Sequence, residues 1–150
     1  MPANPPVGRL VSVGYEGRSQ EELVAALSQA GVSVLVDVRL TPLSRKRGLS
    51  KTALAQALHA VGIGYVHHRE LGNPKDNRDG YRRADPGSLA RYEAVLAGAD
   101  ATGALQHIAE LLEEGTVALL CFESDPATCH RHQVLERLVS LRPALRLTQV

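Results

Sequence analysis

Apolar and polar positions along the chain follow two rhythms, and the changes between them mark the elements. Arg9-Leu-Val-Ser-Val-Gly14 is a short apolar run closed by glycine, which predicts a strand. Ser19 stands three residues before Glu22, the reciprocal capping pattern that starts a helix. Leu23, Val24, Leu27 and Ala30 then recur at helical spacing, and Gly31 ends the segment. Val32 to Val38 is rich in β-branched residues and apolar on both faces, as a strand inside a parallel sheet reads. Ser50 is placed to cap a second helix carrying Leu54, Ala57, Leu58 and Val61 on one side, with Gly62 closing it. Gly64-Tyr-Val-His-His68 predicts a weaker third strand. Residues 69–87, crowded with Gly, Pro, Asn, Asp and charges, predict a long irregular loop, mobile without ligand. Two helices follow over 88–98 and 104–114, the second with Leu105, Ile108, Leu111 and Leu112 on one face. Thr116 to Phe122 is the strongest strand signal. Asp125-Pro126 predicts the start of the last helix, with Asp as cap, Pro in the first position and Val134, Leu135, Leu138 and Val139 as its buried stripe. Ala144 to Val150 predicts a last short strand.

Strands alternating with helices predict an α/β fold. The expectation is a single-domain three-layer sandwich over residues 9–150, after a disordered tail at 1–8. Its mostly parallel sheet has about five strands, with helices on both faces. Such sheets bind ligands beyond the carboxyl ends of their strands. The segments there are Tyr15 to Arg18, Arg39 to Arg45, Arg69 to Gly72 and Glu123 to Arg131. They hold most of the polar chemistry and are predicted to share one end of the sheet.

Composition narrows the function classes. The 150 residues include 17 Lys+Arg and 16 Asp+Glu, a net charge of +1, which disfavours a globally basic protein that wraps nucleic acid. Hydrophobic residues at 44% argue against a disordered chain. The 3% of aromatics argues against a stacking platform for single strands. No apolar run reaches the roughly 18–20 residues of a membrane span, and the start lacks the pattern of a secretory signal. Cys121 and Cys129, eight apart, give no disulfide framework, so a reducing cytoplasm is the expected compartment.

Chemistry enters through a few residues. Cys129-His130-Arg131, read near the start of a helix, offers a thiolate nucleophile with a base and an anion-binding arginine. The other reading of Cys129 is a small buried side chain packing the first helical turn, and Cys121, inside a strand, reads as core. No strand-to-loop cysteine of a sulfurtransferase kind is evident, and the Cys and His spacings fit no structural zinc pattern, so no metal is expected. Tyr15-Glu16-Gly17-Arg18 joins a strand to a helix start, where backbone amides and Arg18 can hold an anion. It lacks the Gly-x-Gly-x-x-Gly spacing of a dinucleotide site, and no cofactor is expected. Asp37 ends an apolar strand and needs a partner, Arg39 or Arg18. Arg39, Arg45, Lys46, Arg47 and Lys51 form a basic cluster suited to phosphate or a nucleic-acid backbone.

Four of these motifs in order resemble a known family. They are Val13-Gly-Tyr-Glu-Gly-Arg-Ser19; Val36-Asp-Val-Arg39 with Pro42, Ser44 and Arg45; Tyr65 with Glu70-Leu-Gly72; and Leu120 to Arg131. Together they are similar to the family catalogued as domain of unknown function 488, from about Leu10 to the C-terminus. The resemblance implies a compact α/β domain with no settled activity. It marks Tyr15, Glu16, Arg18, Asp37, Arg39, Pro42, Ser44, Arg45, Glu70, Gly72, Glu123, Cys129, His130 and Arg131 as family positions. Members commonly carry a small residue before the strand-four glutamate; here it is Phe122, which implies a narrower pocket.

The leading expectation is an enzyme acting on a phosphate-bearing or nucleotide-like ligand. Glu16, Asp37 and Glu123 would supply acid, base or nucleophile. Tyr15, Arg18, Arg39, Ser44, Arg45, Glu70, Cys129, His130 and Arg131 would hold the ligand. The alternatives are a non-catalytic module for nucleic acid or a nucleotide, and a thiol enzyme built on Cys129 and His130.

Overall fold

The computed structural model describes residues 8–125 and 129–150. Five strands, β1 (Arg9–Gly14), β2 (Val34–Asp37), β3 (Gly64–His67), β4 (Val117–Cys121) and β5 (Arg146–Gln149), pair in the order β3-β2-β4-β1-β5. Every pairing is parallel, with Leu10 opposite Val117 and Leu147, and Val34 opposite Val117 and Gly64. The helices are α1 (Gln20–Gln29), α2 (Lys51–His59), α3 (Arg78–Arg82), α4 (Pro86–Leu96), α5 (Ala99–Glu114) and α6 (Arg131–Leu141). Among the described residues none is long and apolar enough to cross a membrane.

Two cores separate the layers. On one face Leu23 and Leu27 of α1 and Leu54 and Leu58 of α2 pack with Val11, Val13, Leu35 and Leu120 of the sheet. On the other, Ile108 and Leu112 of α5 and Val134 and Leu138 of α6 pack with Leu10, Val36 and Leu119. Burial on both faces explains the apolar run of β4 and that of β1, interrupted only by the buried Ser12. The chain is therefore a three-layer α/β sandwich.

Local signals account for most boundaries. Ser19 and Glu22 exchange both bonds of the capping box, at 3.1 and 3.0 Å, and α1 begins where the pattern predicts. Ser50 sits at the cap of α2 but bonds elsewhere: its Oγ accepts from the Ser44 amide at 3.0 Å. Val61 lies beyond the end of α2 and is half exposed, outside the stripe assigned to it. Val139 of α6 is also exposed. Helix α4 starts earlier than expected because Asp85 caps it, accepting from the Ser88 amide at 3.1 Å, with Pro86 in the first position.

The 69–87 segment differs most from its reading as an irregular loop. It forms two short 3-10 turns, Arg69–Leu71 and Lys75–Asn77, and then α3. Tyr81 is buried, donates to Gln133 Oε1 at 2.6 Å and stacks edge-on against Tyr92. Asn77 is buried and donates to Asn73 at 2.9 Å. Side-chain anchors of this kind hold a segment that composition alone reads as slack.

Helix α6 begins at Arg131 with His130 at its cap, so Cys129 precedes the helix rather than lying one turn inside it. The proposed first helical position, Pro126, lies outside the described residues, as do residues 1–7 of the expected tail. Gly8 accepts a backbone bond from Arg146 at 3.3 Å and so joins the β1–β5 end.

Candidate functional site

Strand order creates one privileged place. From β1 the chain crosses over β4 to reach β2; from β4 it crosses over β1 to reach β5. Neighbouring strands thus send their connections in opposite directions, with α1 and α6 on opposite faces. That divergence opens a crevice at the carboxyl ends of β1 and β4. The two chains stay paired past the strands, with Tyr15 N donating to Cys121 O and Glu16 N to Phe122 O. Glu16 Oε1 accepts from the Ser124 amide at 3.1 Å and its hydroxyl at 3.2 Å, which ties the two loops together. Gly14 makes this approach possible: a Cβ there would lie 1.9 Å from Glu123 O.

A cleft occupies the crevice. Cys121, Cys129, His130 and Glu123 form its inner end; Arg78, Arg82 and Tyr81 from the 69–87 segment cover one side. Tyr15 and Phe122 also line it and meet edge-on at 5.3 Å between centroids. The space open to water centres is about 100 Å³. One water needs about 10–15 Å³ of such space, so several waters or one phosphate-sized group fit.

His130 organises the inner end. Its Nε2 lies 2.9 Å from Val38 O, and its Nδ1 lies 3.7 Å from both Cys121 Sγ and Cys129 Sγ. A carbonyl only accepts, so Nε2 carries the proton and Nδ1 faces the sulfurs. Glu123 Oε2 is 3.3 Å from Cys121 Sγ, while its Oε1 accepts from Arg82 Nε at 3.1 Å. Two arrangements compete at Cys121: its thiol donating to Glu123, or its thiolate accepting from Cys129. Burial opposes the thiolate. The Cys129 thiol, His130 and Arg131 outweigh burial and hold Cys121 well below the ordinary thiol range. Burial and the charge on Cys121 push Cys129 well above that range. Burial opposes the His130 cation, but Cys121 outweighs it and raises His130 above its ordinary value.

Asp37 and Arg39 form a fully engaged buried pair. Arg39 Nε donates to both Asp37 oxygens at 2.9 and 3.1 Å, and Nη2 donates to Oδ2 at 2.7 Å. Nη1 donates to Leu49 O at 2.8 Å. Tyr65 also donates to Asp37 Oδ2, at 2.5 Å. Burial opposes the Arg39 cation, and Asp37 outweighs it, raising Arg39 above its ordinary value. Arg39 lines the cleft beneath the Tyr15 ring, 5.2 Å from its centroid, whereas Asp37 is wholly enclosed and lies outside the lining.

Of the expected site residues, Tyr15, Arg39, Glu123, Cys129 and His130 meet at the cleft. Others lie apart from its lining. Arg18 borders a separate surface hollow with Lys46 and Arg47. Ser44 Oγ accepts from the Lys46 amide at 3.1 Å, and Arg45 is exposed. The basic cluster does not act as one patch, since Arg39 is buried and Lys46 Nζ donates to the Tyr15 and Arg18 carbonyls. Glu70 pairs with His68 Nδ1 at 3.0 Å, and His68 Nε2 meets His107 Nδ1 at 2.8 Å, beside a different hollow. Arg131 is fully buried behind the cleft; its Nη1 donates to Val13 O at 2.8 Å, while Nε and Nη2 find no partner among the described residues.

Sequence reasoning missed Cys121, Arg78 and Arg82. Cys121 is the last residue of β4 and belongs to the core, as read from the sequence, but it also lines the cleft. The signal was Glu123-Ser124 immediately after an apolar run, which places the strand end within a residue of Cys121. Arg78 and Arg82 were legible only as charges in a presumed loop. Phe122 lines the cleft as expected of a bulky residue there.

A family model, Domain of unknown function DUF488, matches residues 19–138, and the chain belongs to that family. No curated protein and no solved structure shows a significant match.

Proposed function

We propose that this member of the DUF488 family is an enzyme whose active site is the cleft between β1 and β4, acting on a small substrate with a phosphate or similar anionic group. One observation carries the reading: Cys121, Glu123 and His130 converge at the diverging strand ends, beside the guanidinium groups of Arg78 and Arg82. In this reading the two arginines hold the anion, where bidentate charge-assisted bonds favour guanidinium. Glu123, already bonded to Arg82, supplies the carboxylate that moves a proton. The cleft takes one anionic group, so a nucleotide would leave its base outside.

The test is calorimetric binding of inorganic phosphate and nucleoside monophosphates to the full chain, alongside an Arg78→Ala/Arg82→Ala variant, followed by turnover assays on phosphate esters with Glu123→Gln. Binding lost in the double variant and turnover lost in Glu123→Gln support the reading. Equal binding by wild type and double variant overturns it. Binding without turnover would leave a module for a nucleotide or nucleic acid.

A second reading, a thiol enzyme, is favoured by the His130 ring nitrogen facing both sulfurs. Cys121 replaces Cys129 as its nucleophile, because it stands at the strand end beside Glu123. Iodoacetamide treatment of chelator-washed, reduced protein should then mark Cys121 and spare Cys129, as mapped by mass spectrometry.

A further inference from the structure

We propose that Cys121, Cys129 and His130 form a binding site for a soft divalent transition metal of the zinc class, with its fourth position facing the cleft. The inference deepens the enzyme reading by naming a cofactor for the same cleft, and rests on that reading only for what the metal would act upon.

The ligand geometry is the first support. Tetrahedral zinc, with bonds of about 2.3 Å to sulfur and 2.0–2.1 Å to nitrogen, sets a sulfur–nitrogen edge of about 3.6 Å. Both such edges here are 3.7 Å. The three ligand atoms all lie within 4.8 Å of one another. The second support is the ring. His130 gives its Nε2 proton to Val38 O and turns the Nδ1 lone pair toward the sulfurs. A metal-ligating histidine is commonly fixed this way, through its other nitrogen on a backbone carbonyl. The third is the backbone: the Arg131 amide donates to Cys129 Sγ at 3.4 Å, a bond that a thiolate accepts more strongly than a thiol. Packing of two small thiols explains their burial, but not a ring nitrogen aimed at both.

Two sulfurs and one nitrogen select zinc-like ions over magnesium or calcium, which take oxygen. Three protein ligands with an open position are the pattern of catalytic rather than structural zinc. Glu123 stands beside that position with its Oε1 held by Arg82. A water bound there would give its proton to Glu123. The resulting hydroxide would form a bond to the substrate's electrophilic atom as the leaving group departs, and Glu123 would return the proton to that group. Water is the only co-reactant.

The experiment is titration of the reduced, chelator-stripped full chain with Co²⁺, read by absorption. One equivalent should give intense tetrahedral bands and a thiolate-to-cobalt charge-transfer band, both abolished by Zn²⁺. Cys129→Ser should weaken binding by on the order of 100-fold or more, and His130→Gln should weaken it measurably. In case the variants do not fold, wild type supplies a second readout: one equivalent of Zn²⁺ should protect Cys121 from alkylation. A weak spectrum without charge transfer, or no protection of Cys121, overturns the proposal. Phosphate binding by metal-stripped protein is read separately, so a failed metal site with intact phosphate binding removes this inference and leaves the enzyme reading standing.

Discussion

Asp37 and Arg39 are two residues apart, carry opposite charges and are almost wholly removed from water. The need for a partner was legible in the sequence, because a carboxylate ending an apolar strand must be paired. The geometry was not: nothing in the spacing says that one guanidinium meets both carboxylate oxygens and also Leu49 O. Removing one member of such a pair leaves the other charged and buried, at a cost of about 3–5 kcal/mol. Asp37→Asn should therefore lower stability by that order in denaturant unfolding; a change below about 1 kcal/mol would remove the pair from its structural role. The buried tyrosines make a second residue-scale prediction. Burial raises Tyr65, Tyr81 and Tyr92 above the ordinary tyrosine value of 10.0, helped at Tyr65 by the charge on Asp37. A raised folded value means that the stability is fully present below about pH 10 and is lost as pH climbs above it, where the unfolded chain ionises first. Unfolding free energies measured from pH 8 to 11.5 should fall more steeply above 10, where the tyrosines add to the earlier loss from Cys129. Tyr92→Phe should make that fall shallower, whereas an identical slope would exclude Tyr92 from it.

Among the elements, one signature worked in an unexpected place. Asp-Pro starts helix α4 at Asp85-Pro86, while the sequence pattern favours the same dipeptide at Asp125-Pro126. The first sits inside a charged stretch whose composition reads as loop. Strand ends were legible to within one or two residues, since apolar runs stop where polar loops begin. What the pattern lacked was the contact between elements on which the site depends. Gly14 ends β1 against the backbone of Glu123, and a Cβ would collide with that carbonyl and with Ser124 Cα at 2.8 Å. Both contacts are backbone, which moves only by shifting the whole loop. Gly14→Ala should thus spread the ends of β1 and β4, displacing Glu123 and breaking the bond between Glu16 and the Ser124 amide. Expected are a lower melting temperature and loss of binding by the inorganic phosphate probe. Wild-type melting together with wild-type phosphate binding would show that the two strand ends do not need this approach.

Across the whole molecule, the alternation of strands and helices carried the fold, because right-handed parallel crossovers leave few arrangements. It did not carry the strand order. Whether β4 inserts between β1 and β2 or joins an edge of the sheet depends on which crossovers pass over which strand, and both orders bury the same apolar runs. The order matters for chemistry, because placing β1 beside β4 is what brings Tyr15 and Glu16 against Phe122 and Glu123. The other global feature beyond sequence patterning is the 69–87 segment, whose polar composition conceals anchors spread over distant elements: Tyr81 to Gln133 on α6, Tyr92 to Leu71 O at 2.6 Å, and Asn77 to Ser88 O at 3.0 Å. These bonds cross-brace the cover of the cleft to the α4 and α6 layer, so it should open only by local unfolding rather than swing freely. Hydrogen exchange on ligand-free protein tests this. Amides at 78–83 should exchange more slowly than those of the exposed 41–48 loop and faster than those of central strand β4. Tyr81→Phe, which removes only the bond to Gln133, should speed exchange at 78–83 while leaving β4 unchanged. Exchange at 78–83 as fast as in the 41–48 loop would mean that the cover is loose in the free protein, and that Arg78 and Arg82 reach the cleft only once an anion draws them in.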